Sequence, residues 1–336
     1  MDTNAILKDL KDKKYQPFYF LHGEEEYYID VIVDYIQNHV LDDMQKSFDQ
    51  TILYGKDVEL INVVNAAKRY PMLGTHQVII IKEAQSLKWK SEEEILAQYL
   101  ENPTPTTILV LAYKHGKFDK RKKVFKSFQK NGVVFESEKI RDYKVTEWIQ
   151  KWFSERNKSI EPQAAHLLSE YLGNNLSKVV NELEKLVLNV PANTAVNLQH
   201  IEHNIGISKD FNVFELQTAL GTKNAYKAFQ IVDYFAKNPK SSPFMLIIAS
   251  LNNYFVKVLK YHYLPDKSPQ AASKQLGVAS FFVGDYEKAS RLYPRRNCFD
   301  VIQIIAEYDL KSKGLGANAT PHGELLKELI FKILNV

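Results

Sequence analysis

Pro17-Phe18-Tyr19-Phe20-Leu21-His22-Gly23-Glu24-Glu25-Glu26-Tyr27-Tyr28-Ile29 reads as a short apolar strand that stops at His22-Gly23 and gives way to a helix. The helix carries Tyr28, Ile29, Ile32, Val33 and Ile36 at helical spacing. The alternation continues outward. Residues 58–69 place Leu60, Ile61, Val64 and Ala67 on one helix face, and Gln77 to Ile81 is a continuous apolar strand. Glu92 to Leu100 is helical, with Ser91 as its expected cap before three carboxylates. Thr107 to Ala112 and Gly132 to Glu136 supply two more strands. Strands without polar alternation, separated by helices, predict a parallel sheet covered on both faces. The first 143 residues are therefore expected to form an α/β domain.

Beyond it the strand signal ends. Val145, Trp148, Ile149, Trp152 and Phe153 mark one face of a helix. Pro162 suits the first turn of a second helix that runs to Gly173, and Asn175 to Asn189 gives a third. These three predict a small helical domain over 144–208. Residues 209–336 read as helical throughout, closing with Glu324 to Leu334 after a breaker-rich stretch, Gly314 to Pro321. Ser268 to Arg291 has helix-turn-helix spacing, but its second helix would open with Ala279, Ser280, Phe281 and Phe282, which offer few base-edge donors. Two packed helices of a bundle are the stronger reading.

The chain has 336 residues, 45% of them hydrophobic and 25% charged, a globular composition. No apolar run approaches the roughly 20 residues of a membrane span, and the N-terminus lacks a signal-peptide core. One cysteine, Cys298, can form no internal disulfide and is expected to be a buried thiol of a cytoplasmic protein. The net charge of +4 hides a local excess, because Lys114 to Lys130 alone carries +7. Lys117, Lys120, Arg121, Lys122 and Lys123 are candidates to meet DNA phosphate or an acidic partner; a solvated helix face is the plainer alternative.

Catalytic chemistry is scarce. A phosphate loop needs glycines whose amides wrap the anion and a lysine that neutralises it. Here one glycine, Gly23, is followed by Glu24, Glu25 and Glu26, and like charge repels a polyphosphate. The strand that would supply a magnesium ligand ends in Lys82-Glu83. His200 and His203 share a helix face without further ligands, which favours a surface or capping role. No catalytic residue, metal or cofactor is expected.

The order of motifs resembles the delta-subunit family of bacterial DNA polymerase III. Pro17 to Glu25 resembles that family's P-x-Y-L-L-x-G-E-E opening, and Phe118-Asp119-Lys120-Arg121-Lys122-Lys123 its L-D-K-R-K-K segment. Arg69 to Val78, Gly173-Asn174-Asn175-Leu176 with Asn181 to Leu186, and Phe211 to Leu216 are similar to three further signatures, in the family's order. The resemblance implies an AAA+-like first domain, a three-helix domain and a helical collar domain. It implies a non-hydrolysing subunit of the replisome's clamp loader, within a complex whose overall activity is DNA-directed DNA polymerase. The partners it implies are the sliding clamp (beta subunit), delta-prime and gamma/tau-type subunits, and primer-template DNA. Met72 and Leu73 stand where the family places an apolar wedge against the clamp; without the resemblance they would read as a staple between helix end and core. A stand-alone nucleic-acid-binding protein or an atypical nucleotide-dependent enzyme is the alternative.

Overall fold

The computed structural model describes residues 2–208, 211–239, 242–315 and 320–336, the side chains of residues 90–92 excepted. These divide into two compact units, 1–140 and 141–336. In the first, the chain runs α1 (Thr3–Lys11), β1 (Phe18–Gly23), α2 (Glu26–His39), α3 (Asp43–Asp49), β2 (Gln50–Tyr54) and α4 (Leu60–Ala67). It continues through β3 (Gln77–Lys82), α5 (Trp89–Glu101), β4 (Thr107–Tyr113), α6 (Lys123–Asn131) and β5 (Val133–Ser137). The strands form one sheet in the order β2-β3-β4-β1-β5, with every neighbouring pair parallel.

Side chains alternate across the sheet, so each strand feeds two cores. Phe18, Phe20, Ile79, Ile81, Leu109 and Leu111 pack with α4, α5 and α6. Tyr19, Leu21, Val78, Ile80, Ile108 and Val110 face the other way, onto α1 and α2. All six residues of β1 are buried, the burial expected of a central parallel strand.

Several elements differ from the sequence expectations. β2 and α3 are additional elements; the Asp42–Gln45 capping box starts α3, and β2 is an edge strand with three of its five residues exposed. α5 begins at Trp89 with Lys88 at its cap position; Ser91 therefore lies inside the first turn, and its side chain, like that of Glu92, falls outside the described residues. On α4 the inward residues are Leu60, Val63, Val64 and Ala67, whereas Ile61 is exposed. The helix also ends at Ala67, before Pro71 can act on it. Its last carbonyls are held by side chains instead. Thr107 Oγ1 donates to the Ala67 carbonyl at 2.8 Å, Gln77 Nε2 donates to Thr107 Oγ1 at 2.7 Å, and Gln77 also reaches the Arg69 carbonyl.

The second unit is helical. α7 (Asp142–Ser154), α8 (Pro162–Leu172), α9 (Leu176–Asn189) and α10 (Leu198–Ile205) come first. Pro162 sits at the first helical position of α8, and Gly173 ends it with φ +68°. Then follow α11 (Val213–Gly221), α12 (Ala225–Lys237), α13 (Phe244–His262), α14 (Pro269–Leu276), α15 (Val283–Leu292), α16 (Arg295–Ser312) and α17 (His322–Leu334). One core cluster fills the interior of this later group, from Leu216 to Ile333. α14 and α15 belong to it through Ala272, Leu276, Val283, Tyr286 and Ala289, so the helix-turn-helix spacing is bundle packing. α15 opens at Val283, not Ala279, because Ser280–Phe282 form a 3₁₀ turn. Cys298 is fully buried with Sγ 3.3 Å from the Tyr293 carbonyl, and burial pushes its thiol up to about 11. His200 Nδ1 accepts the Asn197 amide at 3.2 Å, completing a capping box that starts α10. Within the breaker-rich stretch, Gly316 to Ala319 lie outside the described residues.

His166 of α8 sits between the rings of Phe214 and Phe282, with centroids 4.6 Å away on both sides. Burial lowers its pKa to about 4, and the charge of Lys257 acts in the same direction. The unfolded chain takes up this proton near pH 6.5 while the folded chain resists until about 4. Between those values the unfolded state binds more protons, so stability is complete above 6.5 and falls as pH drops towards 4. A His166→Phe variant, which keeps the ring stack and cannot titrate, should lose this contribution to the slope, up to about 3 kcal/mol at pH 4. Thermal unfolding as a function of pH measures it.

Candidate functional site

Parallel pairing decides what meets what at the two ends of the sheet. Gln50 lies opposite Val78 in the β2–β3 register, so the residue before β2 stands beside the residues before β3. That residue is Asp49, the last of α3. It is only 4% exposed. Its Oδ1 accepts the Met72 amide at 2.5 Å, and its Oδ2 accepts the amides of Leu73 at 2.9 Å and Gly74 at 2.7 Å. Desolvation would raise the Asp49 pKa, but the hydrogen bonds from Met72, Gly74 and Leu73 outweigh it and hold the carboxyl below its ordinary value.

The turn so anchored presents apolar side chains to water. Tyr70 is 77% exposed, Met72 74% and Leu73 53%. Met44 and Phe48, four residues apart on α3, are exposed as well. Gly74 has no positive φ; its role is clearance, since a Cβ there would stand 3.2 Å from the His76 carbonyl and 3.3 Å from Asp49 Oδ2. Sequence reading singled out Met72 and Leu73 but not the exposed Tyr70, nor Asp49 and Gln77, whose partners include backbone groups remote in sequence.

The opposite end of the sheet is finished differently. Gly23 has φ +144°, and a Cβ on it would fall 2.0 Å from the Ser137 carbonyl oxygen. That oxygen accepts the amides of both Glu24 and Glu25, at 2.9 and 3.3 Å. The buried Glu25 carboxylate turns back to accept the Tyr27 amide at 3.2 Å, capping α2. Burial raises its pKa. The amides of Glu24, Glu25 and Tyr27, at the place where a phosphate loop would present its donors, thus meet the chain's own oxygens. Glu26 completes the stretch as the first residue of α2.

The basic segment lies at this same end, where Gly116 donates its amide to the Gly23 carbonyl at 3.2 Å. His22, fully buried, accepts the Phe118 amide on Nδ1 at 3.4 Å, and burial pushes its pKa down to about 4. Much of the segment's charge is neutralised locally. Lys117 lies 3.4 Å from Glu136 and 3.3 Å from Glu138, Lys120 2.5 Å from Glu136, Arg121 3.0 Å from Asp119 and Lys122 2.7 Å from Glu93. Hydrogen bonding from Arg121 lowers Asp119 to about 2. Lys123, Lys126 and Lys130 are exposed on α6 and have no ion pair among the described residues.

Residues 19–138, the α/β unit almost entire, match the family model described as DNA polymerase III, delta subunit. The family model thus covers the α/β unit, and the similarity to delta subunits extends beyond it along the chain. Over 318 residues it is 24% identical to DNA polymerase III subunit delta of Bacillus subtilis, covering 92% of this chain and 91% of that one. A probable DNA polymerase III subunit delta of Aquifex aeolicus is 23% identical over 279 residues, 79% and 77% of the two chains. In structure the chain is similar to the Bacillus subtilis DNA clamp loader delta protein, with a TM-score of 0.60 at 23% identity and full coverage of both. The fold is that of this Bacillus subtilis protein. Among the described residues no helix is long and apolar enough to cross a membrane.

Gly23 offers a direct check on the closed phosphate-loop end. Gly23→Ala combines a clash with the Ser137 carbonyl and an unfavourable φ, and should destabilise the protein by more than about 2 kcal/mol in denaturant unfolding.

Proposed function

We propose that this protein is the clamp-opening subunit of a replicative clamp loader, and that Met72 and Leu73 are its contact with the sliding clamp. The exposure of two adjacent apolar side chains on a turn held by its own backbone carries this reading. Such side chains are costly in water and ready for burial in a partner's pocket. Methionine adapts its shape to the pocket it enters. The closed loop after β1 supports a subunit that neither holds nor hydrolyses ATP. Sequence and fold similarity to delta subunits supports assembly with other loader subunits and, through them, action on primed DNA.

Within the helical unit we assign 144–208 as a connecting domain and residues from Phe211 onward as the assembly domain, where Phe299 of α16 and Phe331 of α17 are exposed. Lys120, Arg121, Lys122 and Lys123 are assigned a polyanion contact. Each true phosphate contact adds about 0.9 to the salt slope of duplex binding. Because three of the four already meet carboxylates, their joint replacement by alanine should shift the loader–DNA slope by nearer one contact than four.

The clamp contact is tested by Met72→Ser with Leu73→Ser. Burial of each side chain is worth about 1.5–3 kcal/mol, so the pair should weaken clamp binding by about 3–6 kcal/mol. The melting temperature should stay nearly unchanged, since neither residue packs in the core. A large thermal loss would return the pair to the core and overturn the assignment. Phe299→Ser with Phe331→Ser should do the reverse, weakening loader assembly while sparing clamp binding. A fluorescent ATP analogue with Mg²⁺ should show no saturable binding to the isolated chain.

A further inference from the structure

The three amides that converge on Asp49 belong to the residues that present the apolar pair. Met72 and Leu73 donate through their own backbones, and Gly74, where a Cβ would stand a tight 3.3 Å from Asp49 Oδ2, supplies the third donor. Asp49 itself comes from a different element, the end of α3, 23 positions before Met72. Its short helix is started by the capping box of Asp42 and Gln45, and the Gln45 side chain lies against Gly74. A buried carboxylate meeting three successive N–H groups has little freedom, because any shift of the turn leaves a desolvated charge with fewer donors. A loose apolar turn would have to be ordered at the moment of docking, and that ordering subtracts from affinity.

We propose that Asp49 is the positioning residue for partner docking: it fixes the 72–74 backbone in the docking conformation before the clamp arrives, without itself touching the clamp. This rests on Met72 and Leu73 as the clamp contact. It adds a residue on another element whose removal weakens binding while both apolar side chains remain.

The experiment uses the full chain as wild type, Asp49→Ala, Asp49→Asn, Met72→Ser with Leu73→Ser, and the latter pair combined with Asp49→Ala. Clamp affinity is measured at a temperature where circular dichroism shows every variant folded, and amide hydrogen exchange is followed in the free chain. If loss of the carboxylate leaves the docking conformation about one tenth populated, apparent affinity falls about tenfold. Exchange at residues 72–74 should accelerate in Asp49→Ala while β3 stays protected, and Asp49→Asn, which keeps one acceptor oxygen, should show a smaller change in both. Asp49→Ala should add nothing to the Met72→Ser/Leu73→Ser pair. Unchanged affinity, unchanged exchange at 72–74, protection lost across the whole α/β unit, or full additivity with the pair would each overturn the proposal. If the pair itself binds the clamp like wild type, the clamp assignment fails. Exchange in the free chain then decides alone whether Asp49 holds the turn, faster exchange sustaining it and unchanged exchange overturning it.

Discussion

A parallel sheet must be buried on both faces, and each connection between its strands must cross from one end of the sheet to the other. The arrangement of both candidate sites in the α/β unit follows from those two demands. Covering the faces uses the helices, so only the two ends of the sheet are left to meet partners. At the end where β1 and β4 finish, the chain fills its own anion cradle with the Ser137 carbonyl and the Glu25 carboxylate. At the end where β2 and β3 begin, Asp49 gathers the 72–74 amides and leaves the side chains outside. At one end backbone amides meet the chain's own oxygens, and at the other apolar side chains stand in water.

The sheet's central strands were legible in the sequence because burial on both faces writes itself as an apolar run, as in Val78 to Ile81 and Ile108 to Ala112. β2 was not, because its apolar stretch, Ile52-Leu53-Tyr54, is short and the edge strand lies mostly in water. Helical periodicity found α4 but rotated its face, counting Ile61 inward where Val63 is buried. The end of α4 is accounted for by Thr107 together with Gln77, not by the nearby Pro71. Such stops are written in residues ten to forty positions away.

Met72 and Leu73 were legible through their resemblance to a known pattern, and the turn's exposure is consistent with that reading. Asp49 was not legible at all. A single aspartate among the chain's 40 acidic residues carries no mark of having backbone amides for partners. The basic segment was conspicuous in sequence for the opposite reason, since a one-dimensional count of lysines takes no account of Glu93, Glu136 and Glu138, which fold back against them.

Cys298 has a consequence for the bench. It is the sole cysteine of the chain, enclosed in the helical core, with its thiol held near 11. Burial thus keeps the reactive thiolate scarce at neutral pH and shields the sulfur from reagents. A thiol introduced on the protein's surface would therefore take up a maleimide dye, spin label or cross-linker almost exclusively, with the native cysteine left in place. The wild-type core can serve as its own unlabelled background, so distances from the turn to a docked partner become measurable without first rebuilding the molecule.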